Sequence, residues 1–452
     1  MEFNGKTILV LGAGVSGISV AGILRGYGAR VILSDAKPAD KIRQDLSGLT
    51  AGGVTLALGQ EQGESLLRDV DYLVLSPGVS IYSPLVEAAA GKGIVVMSEV
   101  EVAYRISKAP LVAVTGTNGK TTTTTLIGEM LKASGREVVV GGNIGQALSQ
   151  EVQGVSAQGV VVAEISSFQL EGIIDFRPRV AAILNLTPDH IDRHRTLDTY
   201  REMKERIFAN QRAEDYVVLN YDDPAVRAMA GRAPSQAVFF SRREELAAGV
   251  YVKDGVIRIG WQNQVVDVCP VAELKIPGGH NVENALAACG VAYFAGAGPE
   301  AMARVLRSFT GVEHRIEPVE TINGVPYYND SKATNPESSI KALEAFPGHI
   351  VLIAGGRDKN TDLTEFMQLA KQRVDHLILL GEAAERFGQA AARHGISQIH
   401  YVQDYAAAVT LAHALARPPE TVLLSPACAS YDMFNNYEER GRAFKELVRR
   451  LK

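Results

Sequence analysis

The sequence predicts an α/β protein of three successive domains, and three observations carry that expectation. Its 452 residues exceed what one hydrophobic core ordinarily organises. Apolar runs of strand length alternate with helical patterns, the sign of parallel sheets covered by helices. The alternation restarts twice, so the expected domains span 1–107, 108–312 and 313–452.

Strands of the first domain are expected at 7–11, 31–33, 72–75 and 94–97. The first runs into Leu11-Gly12-Ala13-Gly14-Val15-Ser16-Gly17, a complete G-x-G-x-x-G turn, and Asp35 ends the next strand. Such a turn sets a pyrophosphate on a helix N-terminus and leaves the acid for a hydroxyl, which makes this domain Rossmann-like. An NAD-dependent dehydrogenase and a UDP-sugar binder both satisfy that pattern. Ser76-Pro77-Gly78 follows another strand and either lines the same crevice or is a simple turn.

The second domain, with strands expected at 111–115, 138–140, 160–163 and 180–184, reads as a P-loop ATPase-like domain on a parallel sheet. An apolar strand leads into Thr115-Gly116-Thr117-Asn118-Gly119-Lys120-Thr121-Thr122 and then a helix. Glycines let backbone N–H groups close around phosphate oxygens, Lys120 supplies a mobile positive charge, and the Thr121 hydroxyl can reach Mg²⁺. The loop is a variant, because the first glycine of G-x-x-x-x-G-K-[ST] would fall on Val114. Glu164 follows a strand where a Mg²⁺-holding acid is expected, or it caps the Ser166-Ser167 turn. Thr187-Pro188 reads as a helix start with His190 in its first turn, as a ligand or a structural histidine. Helical spacing puts Lys204 on the stripe of Tyr200, Met203, Ile207 and Phe208. A lysine there either snorkels outward or has a special partner. A desolvated amine has a lowered pKa and can take up CO₂ as a carbamate, an oxygen ligand for metal.

In the third domain a hairpin is expected over 319–328 around Asn323-Gly324, followed by strands at 350–354, 377–380 and 421–424. His280-Asn281-Val282-Glu283-Asn284 opens an Ala-rich helix just before the domain, and His314-Arg315 lies at its boundary. Asn329-Asp330-Ser331-Lys332-Ala333-Thr334-Asn335 and Gly355-Gly356-Arg357-Asp358-Lys359 each end a strand, where basic groups suit an acidic substrate.

Bulk composition narrows the function. A net charge of −5 offers no basic field for nucleic acid or anionic membrane, so phosphate recognition must be local. Three cysteines without a C-x-x-C pair suit reduced thiols rather than zinc or disulfides. Neither a signal-peptide pattern nor an apolar run long enough to span a bilayer is present, and a cytoplasmic protein is expected.

Taken together, these segments resemble the Mur ligases, the ATP-dependent amide-forming enzymes of peptidoglycan synthesis, across all three domains. The resemblance rests on the loop at 115–122, Glu-Ile-Ser-Ser-Phe-Gln-Leu-Glu at 164–171 and Asn-Asp-Ser-Lys-Ala-Thr-Asn at 329–335. Leu-Ser-Pro-Ala-Cys-Ala-Ser-Tyr-Asp-Met-Phe at 424–434, with Arg440-Gly441 beyond, favours the D-glutamate-adding branch. It implies a ligase that activates an acid as an acyl phosphate, with ATP, UDP-N-acetylmuramoyl-L-alanine and D-glutamate as substrates. A monomer is expected, with neither nucleic acid nor membrane insertion.

Roles follow from the resemblance. Gly116, Thr117, Asn118, Gly119, Lys120, Thr121 and Thr122 would hold ATP phosphates, and Asn284, Arg315 and Asp330 its nucleoside. Thr121 and Glu164 would share one Mg²⁺, His190 and carbamylated Lys204 a second; Lys120, His190 and Lys204 would be catalytic. Ser16, Gly17, Asp35, Gly78 and Asn143 would hold the UDP substrate, and Lys332, Thr334, Lys359, Ser430 and Tyr437 the amino acid. Tyr437 stands where the family often has Phe, and Arg357-Asp358 replaces the usual acid-Gly pair.

Overall fold

Buried apolar strands dominate the computed structural model, which describes residues 2–451 except 43–45, 60–62, 190 and 359, with backbone alone at 191 and 192. The chain forms two compact units: residues 2–274 with 282–308, and 275–281 with 309–451.

The first unit carries two sheets. Strands β1 (Thr7–Leu11), β2 (Arg30–Asp35), β3 (Thr55–Leu58), β4 (Tyr72–Leu75) and β5 (Val95–Ser98) are all parallel in the order β3-β2-β1-β4-β5. Strand order therefore reverses between β1 and β4, and the crevice past their carboxyl ends is where such sheets bind ligands. Strands β6 (Leu111–Thr115), β7 (Val138–Gly142), β8 (Val160–Glu164), β9 (Val180–Ile183), β10 (Tyr216–Asn220), β11 (Gln236–Ser241), β12 (Gly249–Lys253), β13 (Val256–Trp261) and β14 (Gln264–Pro270) form the second. Their order is β14-β13-β12-β11-β10-β9-β6-β8-β7, parallel from β7 to β12 with an antiparallel β12-β13-β14 extension. Every residue of β6 and β8 is buried, as a strand covered on both faces requires.

Helix Glu99–Ile106 ties the two sheets together through carboxylates at its start. Buried Glu101 accepts from the backbone N–H groups of Ile174, Asp175 and Phe176 at 2.8 to 3.0 Å. Glu99 accepts from Ser149 N at 2.6 Å, and full burial raises its carboxyl pKa.

The second unit is built on β15 (Glu317–Ile322), β16 (Val325–Asn329), β17 (Ile350–Gly355), β18 (Val374–Leu380), β19 (Ile399–Tyr401) and β20 (Thr421–Leu424), in the order β15-β16-β20-β17-β18-β19. Only the β15–β16 pair is antiparallel. Asn323 and Gly324 turn this expected hairpin with φ of 51° and 82°, the left-handed pair a two-residue turn needs.

The expected strands left 185–318 empty, whereas β10 to β14 fill 216–270. A second difference concerns Thr187. The described helix begins only at Ile191, because the backbone N–H and C=O of Thr187 are both engaged by the Thr117 hydroxyl at 3.1 Å.

Candidate functional site

Three strand ends converge on the phosphate loop: β6 feeds it, and β8 and β9 flank β6 on either side. Gly119 has φ of 84°, and a Cβ there would lie 2.2 Å from Asn284 Oδ1, so only glycine fits. The helix Lys120–Ala133 that follows has no side-chain cap from its N-cap residue Gly119, which leaves its first N–H groups open to an anion. Lys120 Nζ donates to the carbonyls of Gly116 and Thr117 at 2.9 and 2.8 Å. Asn185, to which no role was assigned from sequence, sets the loop's shape. Its Oδ1 accepts from Thr117 N and Asn118 N, and its Nδ2 donates to Asn118 O.

Glu164 pairs with Val114 across the ladder and so emerges beside the loop. One carboxylate oxygen accepts from Asn143 Nδ2 at 2.9 Å; the other, Oε2, is buried with no hydrogen-bond partner among the described residues. A buried carboxylate oxygen without a donor is costly, and a divalent cation is the partner that suits it. Thr121, in the first turn of the helix after the loop, is buried at 2 % exposure. The Asn143 side chain braces this acid, while Gly142, at φ of 101°, brings its backbone against Glu164 O.

Lys204 does not snorkel. It is 1 % exposed, donates to Gly116 O at 2.8 Å and lies 4.3 Å from the Tyr200 ring centroid. Burial first, and then the Lys120 charge, push its pKa well below the usual lysine value, with Asp189 opposing. The Tyr200 hydroxyl in turn meets Thr117 Oγ1 at 3.3 Å. His190, paired with Lys204 in the sequence expectation, lies outside the described residues.

In the Rossmann-like sheet, the G-x-G-x-x-G turn packs against the end of β4. A Cβ on Gly12 would sit 2.8 Å from Ser76 Cβ, and one on Gly17 would sit 1.9 Å from Gly12 O. Gly17 is thus glycine for packing, and Ser16 rides the same helix start, Val15–Gly26. Asp35 braces the turn: one oxygen accepts from Ala13 N at 2.7 Å and the other from Lys37 N at 2.9 Å. Around Gly78 the space is open.

Within the second unit, residues following β16, β17 and β20 gather. Asp330 accepts from Ile316 N and the Ser425 hydroxyl. Burial pushes its carboxyl up to about 7, with Arg315 pulling it partly back. Arg440, fully buried, donates to Ser331 Oγ, Ser331 O and Cys428 O, knitting the 330–332 turn to the segment that carries Ser430. Lys332 Nζ stands 5.2 Å from the Tyr437 ring centroid, and Thr334 N donates to Lys332 O. Arg386 grips both oxygens of Asp358 at 2.6 Å. Lys359 lies outside the described residues. Glu313, His314 and Glu317 cluster within 4.8 Å, but Lys445 Nζ already donates to both glutamates, so the cluster is an ion-paired lock.

Asp330 supplies a pH-dependent prediction. Its folded value lies above the ordinary 3.8, so the native state holds this proton longer than the unfolded chain does. That contribution is present at acid pH and is lost as pH rises toward about 7. In thermal denaturation from about pH 5 to about pH 8, Asp330→Asn should therefore gain in melting temperature relative to the parent as pH rises. A gap that stays constant would show that Asp330 is ionised throughout.

Family models match along most of the chain: a Mur ligase MurD-like N-terminal domain at residues 6–98, a Mur ligase middle domain at 114–292, and a Mur ligase glutamate ligase domain at 314–428. UDP-N-acetylmuramoylalanine--D-glutamate ligase of Thermoanaerobacter sp. (strain X514) is 47% identical over 454 residues, covering 100% of both chains. The enzyme of that name from Pelotomaculum thermopropionicum is 48% identical, covering 100% of this chain and 99% of its own. Among solved structures, UDP-N-acetylmuramate-alanine ligase from Thermotoga maritima shares the fold, with a TM-score of 0.61 at 20% identity over 99% of this chain and 100% of its own. Matched in all three domains by family models and end to end by these relatives, the chain belongs to the Mur ligase family, in its MurD-like branch.

Proposed function

We infer that the protein is an ATP-dependent ligase that adds D-glutamate to UDP-N-acetylmuramoyl-L-alanine in peptidoglycan precursor synthesis, releasing ADP and phosphate. The observation that carries the reading is the phosphate loop set beside a buried acid with one oxygen unpartnered among the described residues, in a chain nearly half identical to D-glutamate ligases along its whole length. A dehydrogenase would use the G-x-G-x-x-G turn and leave that loop without a task.

A carboxylate resists an amine because oxide leaves poorly. ATP therefore first converts the L-alanyl carboxylate to an acyl phosphate, and the D-glutamate amine then displaces phosphate. Lys120 and the N–H groups of the loop hold the triphosphate as its terminal group moves in line. Thr121 and Glu164 would hold one Mg²⁺, and His190 with Lys204 as a CO₂-derived carbamate a second. These ions supply neutralisation of phosphate charge. The lowered pKa of Lys204 supports the carbamate, since only the neutral amine attacks CO₂.

Asn284, Arg315 and Asp330 are assigned to the nucleoside of ATP. Ser16, Gly17, Asp35, Gly78 and Asn143 are assigned to the UDP substrate, and Lys332, Thr334, Lys359, Ser430 and Tyr437 to D-glutamate. We keep domain limits at 107 and 312, which put Asn143 in the second domain and Arg315 and Asp330 in the third. A working monomer is the expected state. No helix among the described residues is long and apolar enough to cross a membrane, and the need for ATP suits the cytoplasm. Phosphate release with ATP, Mg²⁺ and UDP-N-acetylmuramoyl-L-alanine, run against a panel of amino acids, tests the reading. Only D-glutamate should give a strong response, and an equal response to L-amino acids would reject it.

A further inference from the structure

Arg193, a residue without an assigned role, lies where the central sheet's loops meet the turn after β4. Its Nη1 donates to Pro77 O at 3.0 Å and its Nη2 to Val79 O at 2.8 Å. Behind it, Glu171, buried to 8 % exposure, accepts from Nε at 3.1 Å and from Nη2. The guanidinium carbon sits 4.2 Å from the centroid of the Phe168 ring. Stacking and a carboxylate pair thus fix the plane and direction of the fork, leaving two N–H groups aimed at two carbonyls of one turn.

That turn is closed by Val79 N donating to Ser76 O at 2.9 Å, and it lies against Gly12 of the G-x-G-x-x-G segment. It carries Gly78, whose surroundings are open. A second clasp stands nearby, where Arg195 lies 4.3 Å from the Tyr82 ring centroid. Nothing in the turn's own hydrogen bonds holds the Pro77 and Val79 carbonyls in one direction; the arginine fork does.

We propose that Arg193 is a positioning residue for the nucleotide-sugar crevice: its fork fixes the 76–79 turn, braced by Glu171 and Phe168, so that the crevice is preformed for the UDP substrate. The proposal rests on the ligase reading for the identity of that substrate. It differs from a merely structural role in which constant it moves. Lysine keeps the charge but cannot span two carbonyls and a carboxylate in one plane.

The test compares wild type, Arg193→Lys and Arg193→Ala by calorimetric binding of UDP-N-acetylmuramoyl-L-alanine, by KM for each substrate, and by thermal melting. Binding of the UDP substrate should weaken on the order of 10- to 100-fold in both variants, because a turn that is no longer held must be ordered by the substrate itself. The KM values for ATP and D-glutamate should stay within about threefold. Arg193→Lys guards against an unfolded Arg193→Ala, and it should melt close to wild type. Unchanged affinity in Arg193→Lys, or a parallel rise in all three KM values, overturns the proposal. Wild type that binds the nucleotide sugar yet releases no phosphate with D-glutamate counts against the ligase reading alone.

Discussion

Replacing Lys120 with alanine should lower the rate of D-glutamate-dependent phosphate release by about 10²- to 10³-fold or more, the usual cost of removing one electrostatic group from a site of charge transfer. Lys120 Nζ donates to its own loop, at Gly116 O and Thr117 O. Those two carbonyls sit at the mouth of the phosphate cradle, within the sweep of a four-carbon stem. Alanine is the strongest helix former and Lys120 opens the helix Lys120–Ala133, so the fold should stand. Arginine should not rescue the rate, because a planar fork cannot follow a moving phosphoryl oxygen as a compact ammonium can. Turnover assays beside circular dichroism check the expectation. Near-normal turnover in a folded Lys120→Ala protein would remove the loop from the chemistry.

The parts of this site that were legible in the sequence are those whose physics is local. A strand, two glycines, a lysine and a threonine specify a phosphate loop within eight residues, and Asn323-Gly324 specifies a hairpin through backbone conformation alone. Helical periodicity put Lys204 on the stripe of Tyr200, Met203, Ile207 and Phe208 and left open whether it snorkels; it is buried with Tyr200, Ile207 and Phe208, while Met203 is half-buried. Arg193, Glu171 and Asn185 were not, because their partners lie far along the chain: Arg193 reaches Pro77 across 116 positions. An arginine in a run of charges looks solvated until a stacked ring and a carboxylate are seen around it.

The unpredicted strands have a different cause. β14 mixes buried and exposed positions around Asp267, so a continuous apolar run is missing there. Yet β10 carries the same apolar signal as the strands upstream, and Asp254-Gly255, at φ of 52° and 73°, is a local hairpin signal between β12 and β13. Thr187 misled because a Thr-Pro pair suits a helix start equally well as an extended segment pinned by another residue's hydroxyl.

Lys204→Ala should abolish most ligation, by about 10²-fold or more, and short carboxylic acids such as acetate or propionate should restore part of it. The geometry explains why the amine is open to this chemistry. Both Lys204 and Lys120 donate to Gly116 O, so two ammonium groups would crowd one carbonyl in a buried place. The cheaper arrangement leaves Lys204 neutral, which is the direction burial and the Lys120 charge impose. A neutral buried amine that adds CO₂ and gives up one N–H proton to solvent becomes a carbamate, and its negative charge then answers Lys120 instead of opposing it. Removal of the side chain leaves a space beside the Tyr200 ring in which a small carboxylate can place oxygens where the carbamate's would stand. Recovery should depend on acid size, falling off for branched or longer acids. Mass spectrometry at neutral pH with bicarbonate should find the added carboxyl on the parent protein and not on the variant. Full activity of Lys204→Ala would mean that the lysine only packs; loss of activity without rescue by any short acid would make its hydrogen bond to Gly116 O, rather than a carbamate, the property that matters.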